Sequence, residues 1–256
     1  MVFPDWVRQR TAELNICVIF LTRMPLPMPA TIVQGHVSRA LWAAPVVGAV
    51  IGAVGAAVYW LMHFLHVPAF PAAALAVVAT VAATGALHED GLADVADGFG
   101  GGATRERKLE IMRDSRIGAY GASALALSLL VRWSAISEFA DPTQALLALI
   151  AAHAASRGLL GAFMHLLPPA RSDGLSAGAG TVSIETAIAG AVLGAIPLLL
   201  LGLGGAVFAL ILLGLIFAAF HALCLNQIEG QTGDTVGALQ QLGEIAILLV
   251  ASVSLS

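Results

Sequence analysis

Asp90, Asp94 and Asp97 stand at i, i+4 and i+7 of the string HEDGLADVADG (88–98). On a helix that spacing turns all three carboxylates to one side within about two turns. Like charges held so close repel, and a cation seated among them removes the repulsion. Oxygen donors without a thiolate favour Mg²⁺, Mn²⁺ or Ca²⁺ over zinc; a solvated acidic surface is the alternative. The next string, ATRERKLEIMRDSRIG (103–118), supplies Lys108, Arg113 and Arg116, which can form charge-assisted hydrogen bonds to phosphate oxygens. Mg²⁺ is typically held by one or two carboxylates together with waters and substrate phosphates. Acids followed by bases therefore predict phosphoryl or nucleotidyl transfer, with the general enrichment of basic residues on the cytoplasmic side of membrane proteins as the competing account of each base. Gly98, Gly100, Gly101 and Gly102 bring backbone amides to a pyrophosphate or form a hinge. No GxxxxGK[ST] follows, so this is not a P-loop.

The elements that must position these residues belong to a membrane protein. Of 256 residues, 59% are hydrophobic and 11% charged, with a mean hydropathy of +0.90, where a soluble domain carries about 25% charged residues. A soluble fold and intrinsic disorder are excluded. Twelve Lys and Arg against sixteen Asp and Glu leave a charge of −4, so no basic surplus exists to bind nucleic acid. Cys17 and Cys224 form neither a disulfide framework nor a zinc motif.

Crossing a bilayer takes about 20 helical residues. Apolar runs at 40–65, 71–87, 120–139, 143–167, 184–203, 206–225 and 236–255 predict an all-α, polytopic membrane protein. About six or seven transmembrane helices form a single integral domain over 1–256, with an N-terminal interfacial helix anchored by Phe3 and Trp6. Trp42 and the Tyr59/Trp60 pair mark two aromatic belts of the first span. Ala44, Gly48, Gly52 and Ala56 form a small-residue stripe, suited to a helix contact within the chain or to a homo-oligomer face.

The positive-inside rule places ten of the twelve bases on the cytoplasmic side. The polar loops 22–39, 88–119, 168–183 and 226–235 then share one face, where distant residues can assemble into one site. Segment 88–119 is its core. The other two bases lie inside spans. Arg157, one turn after His153, either lines a substrate cavity or pairs with Glu138 or an aspartate of the central segment. Arg132 beside Trp133 reads as a packing or snorkelling residue. His63, His66, His165 and His221 lie near span ends as interface histidines.

Several separated motifs resemble one family, cobalamin synthase (adenosylcobinamide-GDP ribazoletransferase). TRMPLP (22–27) is similar to its N-terminal motif, 88–98 to its HxDGLADxxDG, and 110–118 to its EIMRDSRxG. Ser156, Arg157 and Gly158 lie in the corresponding helix, and GQTGDTVGA (230–238) is similar to its late GGxTGDxxGA. The resemblance implies a Mg²⁺-dependent, multi-pass enzyme of the bacterial inner membrane, with its active face in the cytoplasm. Its substrates would be adenosylcobinamide-GDP and α-ribazole or α-ribazole 5′-phosphate, with GMP released.

By that resemblance, Asp90, Asp94 and Asp97 bind Mg²⁺, and Asp234 completes the site or orients the nucleophile. His88 or a carboxylate serves as general base. Arg113, Arg116, Lys108, Arg157 and Arg23 are the phosphate-binding candidates, with an Arg113–Asp114 ion pair as the structural alternative for the first. Two departures stand out: Glu89 fills the variable position of the acid motif, and Glu229 replaces the first Gly of the late motif. Glu244 is an extra site carboxylate or a buried structural acid. The rival functions are a cation transporter or channel lined by the aspartates, and a scaffold for other enzymes. Carboxylates gathered at one mouth, without an inverted repeat of broken helices, argue against transport.

Overall fold

The computed structural model describes residues 4–26 and 35–255; Phe3 and Pro27 lie outside the described residues. Twelve α-helices follow one another among them. They are α1 (Asp5–Leu21), α2 (His36–Ala40), α3 (Ala44–Phe64), α4 (Ala69–Thr84), α5 (Leu87–Gly101) and α6 (Arg105–Ile111). Then come α7 (Ala119–Ser137), α8 (Pro142–Leu166), α9 (Leu175–Ala179), α10 (Ile184–Ala195), α11 (Gly202–Ile228) and α12 (Gly233–Ser254).

The central helix is α8, buried on most of its faces. Asp141 starts it through a capping box with Gln144, and Pro142 occupies its first turn, where a missing N–H costs nothing. Helices α3, α10 and α12 surround it. A Cβ on Gly48 or Gly52 would run into the backbone carbonyls of His153 and Leu149. The small-residue stripe is thus consumed by a backbone-close α3–α8 contact within the chain, where dispersion replaces the hydrophobic driving force that lipid cannot supply.

By length and composition, five helical segments can cross a membrane, or six if the bent pair α4–α5 counts as one. One of the five, Ile184–Ile228, has 45 residues, about 67 Å at roughly 1.5 Å per residue and over twice the hydrocarbon thickness. A 3-10 turn at Ile196–Leu201 and Gly202, at φ +74°, break it. Both its ends return to the polar loops: His165 bonds the Val182 carbonyl at 2.8 Å, and Arg105 bonds that of Ile228 at 3.0 Å. The run therefore folds back on itself, as the separate spans at 184–203 and 206–225 require. At 17 residues, α1 is not among the candidate spans.

Two sequence expectations are corrected. Tyr59 is not a belt residue: it is buried, its hydroxyl donating to the Phe139 carbonyl at 2.5 Å, while Trp60 is exposed. Segment 88–101 is not the start of a loop. After Gly85, in the left-handed region at φ +65°, the chain bends 90° and continues as α5. With four acids in fifteen residues, α5 packs across α12 and α7 at the polar end of the bundle.

Candidate active site where α5 crosses α12

Gly91 sets the crossing. A Cβ there would stand 2.7–3.3 Å from the backbone O, Cα and C of Asp234, so only glycine lets α5 come this close to the first turn of α12. Asp90 and Asp234 thereby become neighbours lining one cavity of about 130 Å³, together with His88 and Arg171. Thr232 caps α12, accepting from the Thr235 amide at 3.3 Å, and its hydroxyl donates to Asp234 Oδ2 at 3.1 Å. Arg171 Nη2 donates to the same oxygen at 3.4 Å.

Arg171 is held there by a short parallel pairing of its loop with the turn before α12. The Ala170 amide donates to the Gln231 carbonyl at 2.8 Å and the Gln231 amide to that of Pro168 at 2.9 Å. Arg105 braces both strands of this junction, donating to the Ala170 carbonyl at 2.6 Å and the Ile228 carbonyl at 3.0 Å. Arg171 is a site residue that no sequence motif singles out; its only signal in the sequence is that it lies in loop 168–183, which shares a face with loop 226–235.

Asp94 is half-buried on the same helix. Burial first, then the Asp90, Asp234 and Asp97 carboxylates, push it up to about 7, against the pull of Arg171. Among the described residues no three His, Cys, Asp or Glu side chains converge tightly enough to hold a metal unaided. An oxygen-only donor set of this openness fits Mg²⁺, which keeps waters and shares substrate phosphates, better than a closed cage.

Asp97, the third carboxylate of the expected metal set, has both of its oxygens engaged by backbone amides. It is buried, with Oδ2 accepting from the Gly118 amide at 2.7 Å and Oδ1 from the Gly121 amide at 2.8 Å. A negative side chain there satisfies the orphan donors at the start of α7. The glycines after it form no phosphate loop: α5 runs through Gly101, with Met112 over Gly98 and Tyr120 over Gly100.

The expected phosphate ligands lie elsewhere than the cavity lining. Arg113 pairs with Asp173 at 2.5 Å, not with Asp114. Arg116 grips Asp114 at 2.5 Å, and its hydrogen bonds hold that carboxyl down at about 2. Lys108 packs over Gly102 on α6, and Arg23 packs against Gly85 with its amide bonded to the Ala83 carbonyl at 2.8 Å.

Arg157 belongs to a second, buried cluster beneath the cavity. Arg132 Nη1 donates to Glu89 Oε1 at 3.0 Å and to Glu244 Oε1 at 2.9 Å, correcting its reading as a snorkelling residue. Glu244 is also bonded by Gln240 at 2.7 Å and lies 3.7 Å from Arg157. His153 Nδ1 stands 3.1 Å from both Glu244 Oε2 and Arg157 Nη1. A proton on that nitrogen serves the carboxylate and a lone pair serves the guanidinium, so it can satisfy one of them at a time. Glu138, the partner considered for Arg157, is exposed.

The profile of the family described as CobS, cobalamin-5-phosphate synthase, matches residues 13–252. The adenosylcobinamide-GDP ribazoletransferase of Mesorhizobium japonicum is 71% identical over 249 residues, 97% of this chain and 96% of the relative. That of Bradyrhizobium diazoefficiens is 51% identical over the same shares. The Azorhizobium caulinodans protein of that name is 46% identical over 248 residues, 93% of this chain and 94% of the relative. No solved structure matches the chain.

Proposed function

The chain belongs to the cobalamin-5-phosphate synthase family and carries its adenosylcobinamide-GDP ribazoletransferase activity, and we propose that the α5–α12 crossing is where the transfer takes place. The observation that supports this is the approach at Gly91, which sets Asp90 beside Asp234 and Arg171 at the polar end of a cavity. On this reading the site faces the cytoplasm of a bacterial inner membrane, the side on which the basic loops lie.

In the reaction, the 3′-oxygen of α-ribazole, or of its 5′-phosphate, bonds to the phosphorus next to the cobinamide arm. The bond from that phosphorus to the bridging oxygen breaks, and GMP leaves with that oxygen. Asp234 Oδ2 is occupied by Thr232 and Arg171, which leaves Oδ1 to accept the proton of the attacking hydroxyl. Holding the carboxylate from one side fixes the direction of the other oxygen, the form of preorganisation that general-base catalysis needs. His88, in the cavity wall, orients the ribose. Arg171 offers its guanidinium to the phosphate oxygens.

Asp90 and Asp94 would hold Mg²⁺. When bound there, the ion supplies positive charge for the diphosphate and for the charge that develops on departing GMP. The 1–256 chain acts as one membrane domain around this site.

Purified protein given Mg²⁺, adenosylcobinamide-GDP and α-ribazole should release GMP and form the corrinoid product in equal amounts. Asp234→Asn should lower turnover by about 10²–10⁴, the usual range for a general base, with little change in Tm. Wild-type turnover by that variant would overturn the assignment.

A further inference from the structure

The cavity has two unlike halves. His88, Asp90, Arg171 and Asp234 make one end, while Phe20, Leu21, Val37, Leu41, Leu160 and Met164 make the walls of the rest. These walls come from α1, α2, the turn after it, and α8. Leu21, Leu41 and Leu160 are buried core residues, so their positions are set by packing and do not depend on a ligand.

We propose that the apolar half is the pocket for the aromatic base of the acceptor nucleoside, and that its lining determines which base the enzyme attaches. This rests on the transferase reading above and adds a substrate orientation to it. The two substrates offer three bulky groups. The corrin macrocycle is far larger than a cavity of about 130 Å³ and must stay outside it. Guanine fits by size but carries donors and acceptors around its rim, and apolar walls would leave them buried and unpaired. The benzimidazole of α-ribazole is flat, bicyclic and apolar except for one free ring nitrogen, so burying it loses little hydration.

With the base between α1 and α8, the ribose falls at the polar end, where its 3′-hydroxyl meets Asp90 and Asp234. A second observation points to a polar ligand there. His88 is 2% exposed, yet its Nδ1 has no hydrogen-bond partner among the described residues, and Arg171 Nη1 is buried in the same state. A buried polar atom without a partner costs free energy that a bound hydroxyl or phosphate oxygen returns. Met164, partly buried and flexible, is the wall residue best able to set pocket size.

The test measures KM separately for the two substrates in detergent-solubilised full-length enzyme. Met164→Trp should raise KM for α-ribazole about tenfold or more, in the range set by hydrophobic pocket contacts, with KM for adenosylcobinamide-GDP within about twofold of wild type. Met164→Ala, which cannot overpack the fold, should lower KM for a riboside of a larger tricyclic base relative to α-ribazole. Should Met164→Trp fail to fold, the alanine variant alone decides. An unchanged preference between the two ribosides, or a rise in KM for the corrinoid substrate alone, would overturn the pocket. Wild-type enzyme that releases no GMP at all would instead overturn the transferase reading.

Discussion

Glu89 and Asp90 are adjacent in the chain and face two different environments. Glu89 points down into the buried cluster with Arg132, Glu244, His153 and Arg157, where the arginines and Glu244 are each 1% exposed. Asp90 points outward into the cavity, where it makes no hydrogen bond to another described side chain. The lower cluster pairs two guanidiniums with two carboxylates, so its charges nearly cancel. The upper one sets Asp90, Asp94 and Asp234 against Arg171, leaving an acidic excess among the described residues. Its near-neutral charge and its ion pairs suit the lower cluster to tying α5, α7, α8 and α12 together. The upper cluster keeps a charge imbalance that a cation and a phosphate would correct.

The sharpest way to break this contrast is to remove Arg132. Arg132→Ala leaves two buried glutamates without their shared counter-charge, and breaking a buried pair from one side costs about 3–5 kcal/mol. A large fall in Tm, or loss of the folded protein on size-exclusion chromatography, is expected; an unchanged Tm would show that the cluster is not a joint. Asp97→Ala comes next. Its carboxylate caps two amides of α7, and losing a cap costs about 1–2 kcal/mol. Thermal unfolding should register that loss, and raising Mg²⁺ should not recover it, as it would if Asp97 were a metal ligand.

Asp94 gives a subtler, pH-dependent effect. Because its folded-state value is raised to about 7 from 3.8, the folded protein favours the protonated acid. Its contribution to stability is complete at pH below the ordinary value and is lost as pH rises through about 7. In chelator, the Tm of Asp94→Asn minus that of wild type should therefore be smallest near pH 4 and grow to a plateau above pH 7. A difference that is flat with pH would remove the repulsion from the account. The smallest effect belongs to Glu229→Gly. Glu229 sits at φ +57°, a backbone that costs a non-glycine residue about 1 kcal/mol, partly offset by its exposed ion pair with Arg105 at 3.4 Å. Differential scanning should find this variant equal to or slightly more stable than wild type.

That last position also shows what the sequence could and could not reveal. A family motif with Gly where this chain has Glu229 marked an unusual backbone, and the structure supplies its cause, the left-handed cap of α11. The i, i+4, i+7 spacing correctly put Asp90, Asp94 and Asp97 on one helix. Spacing fixes a face and not what the face meets, so it could not separate Asp97, turned to α7, from Asp90, turned to the cavity. The membrane class, the shared face of the polar loops and the small-residue stripe were legible because each is a property of composition or local pattern. Arg132, Glu89 and Glu244 were not, because their pairing spans 43 and 112 residues and depends on the α5–α12 crossing that Gly91 permits. A charged residue in a span announced that a partner existed without saying which.

Arg105 has a consequence for the timing of ordering. By holding the carbonyls of Ala170 and Ile228 together, it joins the loop that bears Arg171 to the turn that bears Asp234. The conformational entropy of those two segments is surrendered when the chain folds. A substrate arriving at the cavity then meets a cation and a carboxylate at fixed separation, and little of its binding free energy is spent on ordering the protein.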